Sequence, residues 1–102
     1  MKYVFLYVTN PDEAHARKIA KVLLKKKLIA CANFIPIRSM YPWKGKFMKE
    51  KEIVAIFKTP APAYKKVQRE IERIHTYKIP CIAKIAVEFN EPYQKWLDSN
   101  TR

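Results

Sequence analysis

Few side chains in this chain of 102 residues can do coordination chemistry: two histidines, two cysteines and three methionines. Imidazole suits copper, and thiolate or thioether sulfur suits Cu(I). His15, Cys31, His75 and Cys81 are scattered, with no His-x-x-x-His and no Cys-x-x-Cys, so no short segment carries a ready ligand set. His75 is one candidate by position, since it ends a helical pattern and precedes a loop. The alternative is a histidine placed there by the helix dipole. His15 falls near a helix start and reads as surface. Cys31, between Ala30 and Ala32, reads either as a buried inert thiol or as a ligand whose pKa a nearby cation would have to lower. Cys81 reads as core.

The elements that position these groups follow from periodicity. Residues 3–9, Y-V-F-L-Y-V-T, are apolar on both parities, which predicts a strand buried on both faces. Asn10-Pro11-Asp12-Glu13 reads as a helix start with Asn10 as N-cap and Pro11 at the first helical position. Ala16, Ile19, Ala20 and Leu23 then share one helical face. Lys18, Lys21 and Lys25 lie opposite, and Lys25-Lys26-Lys27 closes the helix at its negative end rather than forming a nucleic-acid patch.

An apolar run, Leu28–Ile35, predicts a second strand that breaks at Pro36. Ile37–Thr59 reads as one long hairpin turning at Lys44-Gly45, where the chain's single glycine offers φ > 0 at no steric cost. Thr59-Pro60-Ala61-Pro62 opens a second helix with Tyr64, Val67, Ile71 and Ile74 as its buried stripe. The strand Cys81–Phe89 follows, then a short helix capped by Asn90. The order β-α-β-β-α-β predicts an α+β, ferredoxin-like sandwich with an extended β-hairpin and a short C-terminal helix. Two helices cover only one face of such a sheet. Strands apolar on both sides therefore imply a homo-oligomer joined through the other face and the unpaired edges.

The remaining bounds are compositional. A chain of this length is one domain. Two cysteines make no disulfide framework and read as free thiols of a reducing compartment. Met1-Lys2-Tyr3 shows no secretory signal and no apolar run reaches the ~20 residues of a spanning helix, so a soluble, cytoplasmic protein is expected. Lys and Arg total 21 against 9 Asp and Glu, a net charge of +12. Such a balance brings nucleic acid into consideration, although a solvated lysine surface accounts for it.

Several phrases together resemble the CutA family of divalent-cation-tolerance proteins. They are Leu28-Ile29-Ala30-Cys31-Ala32-Asn33, Pro36, Ser39-x-Tyr41-x-Trp43-x-Gly45-Lys46, Glu52, Lys58-Thr59 and His75-x-Tyr77-x-x-Pro80. Thr9-x-Pro11-x-x-Ala14 and Tyr93-x-x-Trp96 extend the match over nearly the whole chain. The resemblance implies a ferredoxin-like protomer in a tight homotrimer, similar in architecture to the nitrogen-regulatory signal-transduction trimers. It also implies a link to tolerance of copper and other divalent cations, with no established enzymatic reaction. It implies that His75 is a candidate copper ligand and that Cys31 is a candidate thiol at a cleft between protomers. Glu52, Lys58 and Tyr77 would meet across such a cleft, and Trp43, with Tyr41, would anchor the interface. Two departures stand out: Thr76 replaces the proline of the usual His-Pro-Tyr, and Lys49 and Lys51 flank Glu52.

The rival reading is an RNA-binding module on the same fold, since Tyr3, Phe5 and Tyr7 share a parity. The chain lacks the glycine-containing phrase of RNA-recognition motifs, so nucleic acid is the less favoured partner. A small acylphosphatase-like hydrolase would need a glycine-rich anion loop, and one glycine does not make one.

Overall fold

The computed structural model describes residues 2–102. Its strands are β1 (Tyr3–Asn10), β2 (Cys31–Trp43), β3 (Lys46–Pro60) and β4 (Ile82–Val87), and its helices are α1 (Glu13–Lys25), α2 (Tyr64–Ile74) and α3 (Glu91–Ser99). A short 3-10 turn, Ala61–Ala63, leads into α2. The sheet order is β2-β3-β1-β4, all neighbours antiparallel. This is the α+β, ferredoxin-like arrangement, with the two most apolar strands in the middle.

The alternation of β1 decides the layers. Val4, Leu6 and Val8 point toward α1 and α2 and are fully buried with Ala55, Phe57, Ile19, Leu23, Val67 and Ile71. Burying one such large side chain contributes about 1.5–3 kcal/mol. Tyr3, Phe5, Tyr7 and Thr9 point to the second face. There α3 covers one end only, where Leu97, Phe89 and Tyr93 pack on Tyr3 and Ala30. Asp98 accepts a hydrogen bond from the Tyr3 hydroxyl at 2.9 Å and ties that helix down. Elsewhere the second face is open: Ile35 is 44% exposed and Ile85 46%.

Several boundaries differ from the sequence reading. Chain does not break at Pro36, which pairs with Ile53 inside β2. The strand is an edge, where a missing N–H is tolerated. Leu28–Ala30 is not strand. Asn10 does not cap α1: it is still in β1, and its amide is committed to the Val8 and Ile53 carbonyls. Asp12, in extended conformation, caps instead and accepts from the His15 N–H at 2.8 Å. Pro60 ends β3 rather than opening a helix. Asn90 occupies the cap position of α3 without a side-chain bond. Cys81 is not core: it is exposed, immediately ahead of edge strand β4.

Two lysines occupy left-handed backbone positions. Lys44, with φ 51°, and Gly45, with φ 78°, form the two-residue turn of the hairpin, as the twist of the strands requires. Lys27, with φ 57°, ends α1. Its N–H bonds the Leu24 carbonyl and that of Leu28 bonds Leu23, a Schellman closure.

Candidate functional site

The antiparallel packing of α1 on α2 brings the start of one helix to the end of the other, and there the two histidines meet. Their ring centroids lie 4.5 Å apart, edge to face. His75 accepts the Tyr77 N–H at Nδ1 (3.0 Å), so its proton is on Nε2, which donates to the Thr9 carbonyl at 2.8 Å. His15 accepts the Thr76 N–H at Nε2 (3.3 Å), so Nδ1 donates to Asn10 Oδ1 at 3.0 Å. Burial, and then the neighbouring His75, lower the pKa of His15. Both imidazoles are thus hydrogen-bonding links between β1, α1 and the loop after α2.

Thr76 contributes to this cluster through its N–H, which proline lacks. The departure from His-Pro-Tyr therefore supplies a contact to His15 that the usual sequence could not make. His15 reads as surface in the sequence, and nothing in its spacing reveals the contact. Only the packing of the two helices, which brings together positions 61 apart, creates it.

The same loop delivers Tyr77 to Glu52. The phenol donates to Glu52 Oε2 at 2.5 Å, and Glu52 is only 7% exposed. Burial, then the Glu52 hydrogen bond, push the Tyr77 pKa well up. Tyr77 also packs on His75, centroid to centroid 4.7 Å. Farther along the hairpin, Glu50 lies beside the Tyr41 phenol and raises its pKa. Glu50, Glu52, Tyr41, Trp43, Tyr77 and Cys81 line one groove of about 510 Å³ between the hairpin and the loop. Trp43 is 38% exposed, with Lys44 Nζ 5.9 Å from its ring centroid.

Cys31 and Lys58 belong to the other end of the sheet. They are direct register partners on β2 and β3. Lys58 Nζ lies 5.8 Å from the Phe5 ring centroid and 5.4 Å from that of Tyr93. The half-buried Cys31 thiol is next to the Tyr93 hydroxyl, whose pKa is raised by burial and then by that thiol. Phe5 and Thr9 are four positions apart on β1, about 13 Å along a strand. The protomer therefore joins Glu52 to Tyr77 and leaves Lys58 apart, and it does not bring Cys31 to His75. Among the described residues no three His, Cys, Asp or Glu side chains converge as a metal cage.

Two of the three aromatics that would serve RNA stacking are obstructed. Tyr3 is buried, and Phe89 lies over both Tyr3 and Phe5, at 5.6 and 5.9 Å between centroids.

A sequence model of the CutA1 divalent ion tolerance protein matches residues 4–100. The chain belongs to this family. It is 41% identical over 100 residues to the divalent-cation tolerance protein CutA of Pyrococcus horikoshii, covering 97% of this chain and 98% of that one. The CutA of Thermotoga maritima is 41% identical over 95 residues, 92% of this chain and 94% of the relative. Among solved structures, CutA1 of Pyrococcus horikoshii superposes with a TM-score of 0.94 at 40% identity, over 97% of this chain and 98% of the other. The periplasmic divalent cation tolerance protein CutA of Archaeoglobus fulgidus gives 0.92 at 37%, over 96% and 97%.

Proposed function

We propose that this CutA-family protein works without enzymatic chemistry, as a homotrimer that takes up divalent cations, copper foremost, at clefts between protomers. The observation that carries this reading is the separation of donors within one chain. The copper-preferring groups are split: buried His75 is at the meeting of the helix ends with the exposed Cys81 near its loop, and Cys31 is at the other end of the sheet, on the face that the chain itself leaves half uncovered. A second copy laid on that face completes both the burial and the ligand set. On His75 the Nδ1 lone pair is the one a metal would take, in exchange for the Tyr77 N–H. Exposed Trp43, Met40 and Phe47 on the hairpin support its role as the arm that grips a neighbour. The cytoplasm suits the unpaired Cys31 and Cys81, and fractionation of the source cells checks that placement.

The test is calorimetric titration of the reduced, metal-free protein with Cu(II) and then Zn(II), after its mass in solution has been measured. A mass three times 12.1 kDa and saturable binding at one metal per protomer or one per three are expected, with His75→Ala weakening the copper affinity. A monomer, or weak heat without stoichiometry, overturns the reading.

A further inference from the structure

The helix layer presents a charged face that the metal reading does not use. On α1, Lys18, Lys21 and Lys25 recur at i, i+3 and i+7, directly opposite the buried Ala16, Ile19, Ala20 and Leu23. On α2, exposed Lys65, Lys66 and Arg69 stand outside the buried Val67 and Ile71. The seam between the helices is closed by Glu70, which takes Lys26 Nζ at 2.5 Å and Arg73 at 3.0 Å. Hydrogen bonds from those two cations hold its carboxyl at about 2, so its charge is already matched. Among the described residues no carboxylate comes within ion-pair reach of the six outward cations.

We propose that this face binds the phosphate backbone of double-stranded DNA without reading sequence. Cations spaced ~5–10 Å apart along two packed helices repel one another, and a duplex carrying one charge per ~1.7 Å relieves that repulsion while releasing counterions. An anionic membrane would call for an apolar wedge, yet the one large apolar side chain exposed on these helices is Leu24. Single strands are held by aromatic platforms, and the one aromatic on these helices, Tyr64, is half-buried beneath Lys84, 4.7 Å from its ring centroid. Adenine edges are read by bidentate amides. Here the one amide, Gln68, is bonded to Glu72. The face also lies on the far side of the sheet from the half-open surface, so every copy in an assembly would keep it accessible and add avidity.

Fluorescence anisotropy of two 20-base-pair duplexes of unrelated sequence, titrated with the full chain from 50 to 200 mM salt, tests this. The two duplexes should bind alike. The triple variant Lys18→Gln, Lys21→Gln, Lys25→Gln should weaken binding at least tenfold at 50 mM salt and flatten the log–log salt slope by about 2.7, at ~0.9 per lost phosphate contact. A control of equal charge, Lys46→Gln, Lys49→Gln, Lys51→Gln on the hairpin, should change affinity less than threefold. Circular dichroism and solution mass verify that both variants keep their fold. Three outcomes overturn the proposal: no duplex binding at 50 mM salt, equal loss in both triple variants, or tighter binding to double-stranded RNA or to phosphatidylserine vesicles than to DNA.

Discussion

The two faces of the sheet are made from similar residues and meet different fates. On the helix side, Val4, Leu6, Val8, Ala55 and Phe57 are all fully buried. On the other side, Phe5, Tyr7 and Ile56 are half-buried, and Ile35 and Ile85 are exposed. The first face is finished by the chain's own helices. The second is finished at one end by α3 and left apolar over the rest. A strand that is apolar on both parities thus reports two apolar faces, and does not report which of them the chain's own helices cover.

The sharpest way to break this comparison is a pair of truncations. Phe57→Ala should cost the protomer about 3–5 kcal/mol, the range for emptying an aromatic site in a closed core. Ile85→Ala, on the open face, should cost less than about 0.5 kcal/mol in a monomeric protein while shifting the concentration at which copies associate. Urea unfolding at several protein concentrations reads both effects. Equal, concentration-independent losses at the two positions would show that the faces are not different in kind.

A smaller effect separates the two carboxylates on the open side. Tyr77→Phe removes the donor from Glu52, which is buried, and should destabilise by about 1–3 kcal/mol, the penalty for an unsatisfied buried acceptor. Tyr41→Phe leaves Glu50 half-buried and able to take water, so its cost should stay below about 1 kcal/mol. If thermal unfolding shifts both variants equally, Glu52 is no more sealed than Glu50, and the loop after α2 is not the lid that closes over it.

The sequence was most legible where periodicity is strong and contacts are local. The apolar parity of β1 and β3 predicts their central places, and the lone glycine predicts the turn of the hairpin. Cap chemistry was misread because Asn10 and Asp12 are both competent caps. The choice is made by Ile53, which holds Asn10 in the sheet. The site was less legible still. Glu52 and Tyr77 are picked out by family phrases, but their bond is a tertiary event. The meeting of His15 with His75 depends on the lengths and packing of two helices, which no pattern within either helix encodes. Cys81 shows the opposite error, where apolar neighbours in sequence stand in for burial that the edge of a sheet does not provide.

The smallest test concerns the two left-handed lysines, which sit one in each half of the molecule. A non-glycine residue in that conformation costs about 1–2 kcal/mol, and glycine gives part of this back as unfolded-state entropy. Lys27 closes α1, whose face is inside the sealed core, so the strain there is carried by the cooperative unit. Lys27→Gly should therefore raise the free energy of global unfolding by about 0.5–1 kcal/mol. Lys44 turns the hairpin at its tip, among exposed Phe47, Met40 and Trp43. If that tip opens independently of the core, Lys44→Asn, which suits the turn better, will slow amide exchange at the tip and leave the urea midpoint of the monomer unmoved. A shift of the midpoint as large as that of Lys27→Gly would mean that the hairpin folds as part of the core, and the contrast between a closed half and a half-open one would have to be redrawn at the level of single strands.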